Sequence, residues 1–232
     1  MQTAHPGQTR SRVASVVPAW LAVGGSAVVV ALLAWAVLAG LAPLLDADRA
    51  VSDALYAGDG RSRWLEVLLQ VATAPGLSVS RAVVLLPVLV WLVLRRAWWT
   101  AAWVFVAAAG VSPLTTLLKD AVGRLRPQFA DGGAGYASFG FPSGHSSGIA
   151  TLVTIALVLA WPRLSTRQRR LALAVGLALV VLVGLTRMWL GVHFLSDVLG
   201  GWAFGAAWTL LVALAFDALP GGRAALPARE AQ

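Results

Sequence analysis

The residues of this chain that can do chemistry fall in three short clusters, each set against an apolar run. In the stretch 186–197, reading TRMWLGVHFLSD, an arginine (Arg187), a histidine (His193) and an aspartate (Asp197) stand together. Three such groups are costly to keep at the edge of a bilayer. His193 and Asp197 are four residues apart, so on a helix they stack on one face, and the carboxylate can hold one ring nitrogen while the other faces a substrate. That is how a nucleophile or base is steered by an acid partner. By itself the stretch reads equally well as an interfacial cluster marking where a membrane span begins.

The second cluster, KDAVGRLRP, places Lys119 and Arg126 seven residues apart. Two helical turns bring both cations to nearly the same face, and Pro127 then turns the chain out of helix. Two cations on one stripe at the mouth of a bundle make an anion clamp; alone they read as basic residues snorkelling at a span end. The third cluster, FPSGHSS at 141–147, has Ser143 placed to cap the helix that follows. The free N–H groups at such a helix start can seat phosphate or sulfate oxygens, Gly144 lets the backbone come close, and His145 then stands beside the anion. A capped helix start with an incidental histidine is the plainer reading of this segment alone. Apart from His5, however, the only two histidines of the chain lie in these clusters, a coincidence less expected than either by itself.

Lys119-x6-Arg126-Pro127, then Pro142-Ser143-Gly144-His145, then Arg187-x5-His193-x3-Asp197, in that order and spacing, resemble the three signature motifs of the type 2 phosphatidic acid phosphatase superfamily, the lipid phosphate phosphatases. The resemblance covers roughly Leu77 to Phe216, and the combination is highly specific although each part is weak. One departure is Thr186, where the family usually has serine; it keeps a hydroxyl and affects at most one hydrogen bond to phosphate. The resemblance implies a metal-independent phosphohydrolase with no cofactor. On that pattern His193 attacks phosphorus to give a phosphohistidine, Asp197 positions and charges its ring, and His145 protonates the leaving oxygen and then activates water. Lys119, Arg126, Ser143, Gly144 and Arg187 hold the phosphoryl oxygens. The implied substrate is a lipid phosphate or diphosphate at the outer leaflet: a polyprenyl diphosphate, phosphatidic acid or phosphatidylglycerol phosphate.

The residues taken alone agree with that chemistry. Phosphoryl transfer needs mainly positioning and neutralisation of the equatorial oxygens, which cations and helix N–H donors supply. A two-metal hydrolase needs a carboxylate-rich site, whereas the expected mouth offers only Asp120, Asp131 and Asp197. A phosphotransferase of the same fold, passing the group to an alcohol, has the same motifs. A non-catalytic transporter or scaffold would need polar groups at mid-span, and only Gln70, Thr73 and Thr154 come near that.

The elements that must hold these clusters are membrane helices. Hydrophobic residues make up 59% of the 232, charged ones only 12%, and the mean hydropathy is +0.77, far from a soluble composition. Several apolar runs approach the ~20 residues that cross a bilayer, without the alternation of a membrane barrel. The fold class is therefore all-α, a polytopic six-transmembrane-helix bundle. Spans are expected at Trp20–Leu45, Leu77–Leu94, Trp98–Leu118, His145–Trp161, Leu171–Leu185 and Phe194–Phe216. The first is well beyond the ~7–15 apolar residues of a cleaved signal peptide. Between the first two, Val51, Ala54 and Leu55 share a face and suggest a short headgroup helix, and Trp64–Ala74 reads as a half-length or interfacial helix broken by Pro75-Gly76. Gly201 and Gly205, four apart in the last span, read as helix-packing contacts.

The domain organisation expected is a cytosolic N-tail at 1–17, the membrane domain at 18–217 and a cytosolic tail without packing signals at 218–232. The net charge of +8 is strong enough to suggest nucleic acid, but the basic residues sit in short loops between apolar runs, and positive-inside topology explains most of them; Lys119, Arg124, Arg126 and Arg187 fall on the other side and need another reason. Ten of them lie in the two tails, the 95–96 turn and the 163–170 loop, so these face the cytosol and the motifs face the extracytoplasmic side of the plasma membrane. The partners expected are the bilayer and a membrane lipid substrate, with no nucleic acid. Arg81, in the first turns of the second span, is expected to snorkel to headgroups, with anionic-substrate binding as its second reading. Without cysteines the chain has no disulfide framework or thiolate metal site.

Overall fold

The computed structural model describes residues 6–129 and 138–227; Asp131 and the chain ends at 1–5 and 228–232 lie outside the described residues. Within them the chain is helical. α1 (Pro6–Leu38) opens with proline at its first position, where the missing N–H is no loss. It takes in most of the expected N-tail. It also stops short of Leu45, because Gly40 turns left-handed (φ +64°) and Pro43 begins a new helix, α2 (Ala42–Leu55).

α3 (Arg63–Thr73), a 3₁₀ turn at Ala74–Gly76 and α4 (Ser78–Leu94) follow. α4 alone, at 17 residues and ~1.5 Å each, falls short of the hydrocarbon thickness. It becomes long enough only as a pair with Arg63–Gly76, bent by 48°. The expected second span at Leu77–Leu94 is thus one limb of a bent pair whose other limb is the expected interfacial helix. Pro75 supplies the break, because it lacks the N–H that a continuing helix would use.

α5 (Trp98–Val122), α6 (Gly144–Ala160), α7 (Thr166–Trp189) and α8 (Leu195–Ala215) complete the bundle. Among the described residues five helices are long and apolar enough to cross a membrane: α1 from Val16, α5, α6 continued to Arg163, α7 and α8; the bent pair, counted as one span, makes up to six. α6 and α8 pack backbone to backbone. A Cβ on Gly201 would lie 2.6 Å from the Ser143 carbonyl oxygen and one on Gly205 2.3 Å from that of Ser147, so both glycines are packing contacts as expected.

The two ends of the bundle differ. One gathers Leu92, Trp103 and Ala213 with Ala218, Leu219 and Ala224 in an apolar core. Residues 218–227 therefore pack, where the sequence suggested a loose tail. Thr100 Oγ1 donates to the Ala224 carbonyl at 2.9 Å, and Ala224 N–H closes onto the Asp217 carbonyl at 3.0 Å. Such a turn is held by backbone hydrogen bonds and small side chains, and leaves no apolar period to read. The 95–96 turn and the 161–166 connection lie at this end, where Arg163 donates to the Pro227 carbonyl at 3.3 Å. The three motif clusters lie at the other.

Candidate active site

Each motif sits where a helix begins or ends, and local rules set its geometry. α5 ends on Gly123 in the left-handed region (φ +62°), whose N–H closes onto the Lys119 carbonyl at 2.8 Å. The chain leaves with Lys119 still on the helix and Arg124 and Arg126 just beyond it. α6 starts at Ser143, whose hydroxyl accepts the Ser146 N–H at 3.4 Å. This is the cap that the residue type prescribes. α7 ends on Gly191, also left-handed (φ +68°), where a Cβ would strike the Tyr56 ring at 2.6 Å; the reversal carries the chain to His193 and into α8.

The carboxylate and imidazole meet, but not by stacking on one helix: His193 precedes α8, whose N-cap is Phe194, and Asp197 in the first turn reaches back to it. His193 Nδ1 lies 3.3 Å from Asp197 Oδ2, and that oxygen also accepts the Phe194 N–H at 3.0 Å. Arg126 Nη1 lies 3.0 Å from His193 Nε2. A guanidinium only donates, so Nε2 is the acceptor and the ring proton sits on Nδ1, toward Asp197. Burial first, then the charges of Arg126, Lys119 and Arg187, hold the His193 pKa well below the ordinary imidazole value. The ring is neutral at neutral pH, with its lone pair turned to the cations.

Around that nitrogen the other motif residues converge. Arg126 is fixed by Ser138, through its carbonyl at 2.8 Å and its hydroxyl at 3.0 Å, and by the Val192 carbonyl at 2.9 Å. Lys119 Nζ donates to the Phe139 carbonyl and, at 3.2 Å, to that of Gly140. Arg187, 2% exposed, reaches Thr73 Oγ1 at 3.4 Å, which ties the broken span to the cluster. Lys119, Arg126 and Arg187 lie within electrostatic reach of both His145 and His193. His145 and Gly144 line a pocket of about 210 Å³ with Lys119 and Thr115. A Cβ on Gly144 would point into open space, its nearest neighbour Thr115 Cγ2 at 4.0 Å. At a helix start the first N–H groups have no partner within the helix, so this pocket offers an anion the Lys119 ammonium in its wall and backbone donors.

Ser143 is fully buried and its N–H donates to the Asp197 carbonyl at 2.9 Å, which locks the start of α6 to that of α8. The Thr186 hydroxyl donates to its own helix, to the Val183 carbonyl at 2.6 Å, and lies buried away from the pocket. Among the described residues no cluster of His, Asp and Glu has metal-ligand spacing.

Two residues that the sequence did not single out complete the site. Arg124 donates to Asp197 Oδ1 and to Asp48 Oδ2, both at 2.7 Å, and to Ser196 Oγ at 2.6 Å, with its guanidinium 4.4 Å from the Phe194 ring centroid. Asp48, on α2, also accepts the Ser196 N–H at 2.9 Å. The inward face of α2 is therefore Asp48 with Ser52, and not the apolar face of Val51, Ala54 and Leu55. Arg124 is buried, and a cation buried alone is costlier than one that is paired, so the α2 carboxylate turns in to meet it and the apolar face is left toward the outside, as a headgroup helix requires. No local pattern joins residues 76 positions apart; the one signal was that Arg124, like Lys119, sat where positive-inside topology does not call for it.

With this geometry in place, comparison with known proteins is specific. The sequence profile of the PAP2 superfamily matches residues 97–219. Phosphatidylglycerophosphatase B of Bacillus subtilis (strain 168) is 40% identical over 102 residues, covering 43% of this chain and 49% of that protein. Lipid A 1-phosphatase of Rhizobium johnstonii is 37% identical over 127 residues, covering 51% of this chain and 48% of that protein. The chain thus spans about half the length of the relatives it matches in sequence. Among solved structures, the transmembrane PAP2-type phosphatidylglycerolphosphate phosphatase from Bacillus subtilis superposes with a TM-score of 0.66 at 29% identity, covering 82% of this chain and 93% of that one.

Proposed function

This chain belongs to the PAP2 superfamily, and from that premise we propose that it is an integral membrane lipid phosphatase that hydrolyses a lipid phosphate or diphosphate through a phosphohistidine. The observation that carries the reading is the buried His193: neutral, held by Asp197 on one nitrogen, and turned by the other toward Lys119, Arg126 and Arg187. A lone pair aimed into a nest of fixed positive charge has few uses other than attack on an anionic electrophile.

The chemistry runs in two displacements. The phosphoryl oxygens enter the pocket against Lys119, Arg187 and the N–H groups at Gly144, and draw the Arg126 guanidinium off Nε2. The phosphate dianion favours the charged form of the ring beside it, so His145 takes up a proton as substrate binds. Nε2 attacks phosphorus, the bond from phosphorus to the lipid-side oxygen breaks, and His145 gives that oxygen this proton. His145 then takes a proton from water as the water attacks the phosphohistidine, and inorganic phosphate leaves. Asp197 is a positioning residue, since it keeps the Nδ1 proton in place and offsets the charge that grows on the ring.

The site faces the extracytoplasmic side of the plasma membrane, with both termini cytosolic. Support comes from the ends of the bundle: the 95–96 turn and the 163–170 loop lie opposite the motifs, and basic loops stay inside. Because the chain has no cysteine, a cysteine at Asp120 or at Arg167 is a unique reporter. An impermeant maleimide should label the first and spare the second in intact cells; the reverse pattern inverts the orientation.

The activity is tested by phosphate release from lipid mono- and diphosphates by purified protein in EDTA. Release that persists in EDTA and is lost in His193→Ala supports the reading. Release that needs an added divalent ion contradicts it.

A further inference from the structure

Arg81 is 4% exposed and does not snorkel. Its Nε donates to the Ala108 carbonyl at 3.1 Å, and its Nη2 to Ser112 Oγ at 2.7 Å and Ser78 Oγ at 3.4 Å. Every one of these partners is neutral, and no carboxylate pairs with Arg81 among the described residues. A cation buried in a membrane bundle without a counter-charge is expensive and marks a binding function.

Its position says what would bind. The 210 Å³ pocket beside Lys119 and His145 includes Ser78 and Ser112 in its wall, and the same two serines line a groove of about 630 Å³ between α4 and α5 that contains Arg81. The groove is otherwise apolar at its mouth, where Val79, Val83, Leu86 and Phe105 are all at least 60% exposed and would face hydrocarbon. Arg81 thus stands at the neck between a seat for phosphate and a slot for a lipid tail. A Cβ on Gly148 would come 2.8 Å from Arg81 Nη1 and 2.4 Å from the Gly76 carbonyl oxygen, so the guanidinium lies against α6 one helical turn from Gly144 and His145, ~5 Å along the axis.

We propose that Arg81, with Ser78 and Ser112, is a subsite for a second phosphate of the lipid substrate, the one that stays on the lipid, with the tail lying in the α4–α5 groove. The subsite sets selectivity: a lipid with a second phosphate between the scissile group and the tail gains a charge-assisted contact that a simple monophosphate lacks. Two chemistries offer such a group, a prenyl diphosphate and a glycerol-linked phosphodiester.

The test uses two matched pairs: farnesyl diphosphate against farnesyl phosphate, and phosphatidylglycerophosphate against phosphatidic acid with the same acyl chains. The quantity read is the ratio of kcat/KM within a pair, so a general loss of activity cancels. Wild type should prefer the two-phosphate member of at least one pair, which identifies the source of the second phosphate. Arg81→Gln should lower that ratio by ~10- to 100-fold, the worth of a hydrogen bond to a charged group, and Arg81→Lys should retain part of it. Should Arg81→Gln fail to fold, Ser112→Ala, which removes the 2.7 Å partner of the guanidinium, should lower the same ratio several-fold. An unchanged ratio in the folded variant overturns the subsite, as does a wild type without preference in either pair. The inference rests on the phosphatase reading, and the two fail separately. No phosphate release from any of the four lipids sinks both, whereas release with an unaltered ratio sinks the subsite alone.

Discussion

The two ends of the bundle are buried to similar depth and built from opposite materials. At one end the side chains of Leu92, Trp103, Val104 and Ile155 are sealed by apolar contact. At the other Asp48, Lys119, Arg124, Arg187, His193 and Asp197 are buried to at least nine-tenths. In lipid, apolar contact supplies packing and little else, so the first end holds the helices together. The second spends stability on charges that only a ligand or a paired opposite charge can repay. Arg124 and Arg81 show the two outcomes side by side: Arg124 is met by two carboxylates, and Arg81 meets neutral oxygens only.

If the comparison holds, substitutions at the charged end change turnover and those at the apolar end change only stability. The largest effect belongs to Asp197→Asn, which removes the acceptor that keeps the Nδ1 proton in place. It should reduce kcat by about 10⁴, the loss known for the same change in a serine protease triad, with KM little altered. A loss below tenfold would make the carboxylate structural. Next is Arg124→Gln, which strands Asp48 and Asp197 as buried carboxylates. It should cost about 3–5 kcal/mol in detergent unfolding and lower kcat as well, since Asp197 loses one of its anchors. A stability loss with unchanged kcat and pH profile would confine Arg124 to architecture.

Trp103→Ala is the counterpart at the apolar end. It should cost about 3 kcal/mol through the cavity it leaves, while the folded fraction keeps wild-type kcat and KM. A changed KM there would break the contrast between the ends. Asp48→Asn should cost about 1.5 kcal/mol, the difference between a charged and a neutral acceptor for Arg124, and leave more activity than Asp197→Asn. The smallest effect is a titration. The His193 pKa is depressed by burial and by neighbouring cations, so the stability that the neutral ring contributes is present above about pH 6.5 and lost as pH falls through the folded-state value. Removing a cation in Arg126→Ala should move the pKa up, toward the ordinary value, in an NMR titration of the ring. A downward shift would mean that Arg126 does not act on the ring by its charge.

Much of the site was legible in the sequence because its parts are local. His193 and Asp197 lie on either side of one helix start, Ser143 caps its own helix, and Lys119 with Arg126 flank a helix end set by Gly123 and Pro127. The apolar runs likewise announce the bundle by length. What stayed hidden depends on distance along the chain. Asp48 looked like one acidic loop residue among several, and nothing short of the fold joins it to Arg124 or to Ser196. Arg81 looked like a snorkelling residue because its burial comes from α5 and α6, not from α4. The broken span was read as two pieces because Pro75-Gly76 ends the period, and the packing of 218–227 rests on small residues and backbone hydrogen bonds that leave no pattern.

The central claim is that His193 takes the phosphoryl group, and acid-labile phosphoenzyme trapping tests it most directly. Purified protein is mixed with a lipid phosphate labelled in the scissile group, quenched in alkali within milliseconds, and mapped by peptide. The account predicts alkali-stable, acid-labile label on the peptide carrying His193 in the wild type, and none in a folded His193→Ala protein. Label on another residue, or phosphate release by His193→Ala at near wild-type rate, would contradict it.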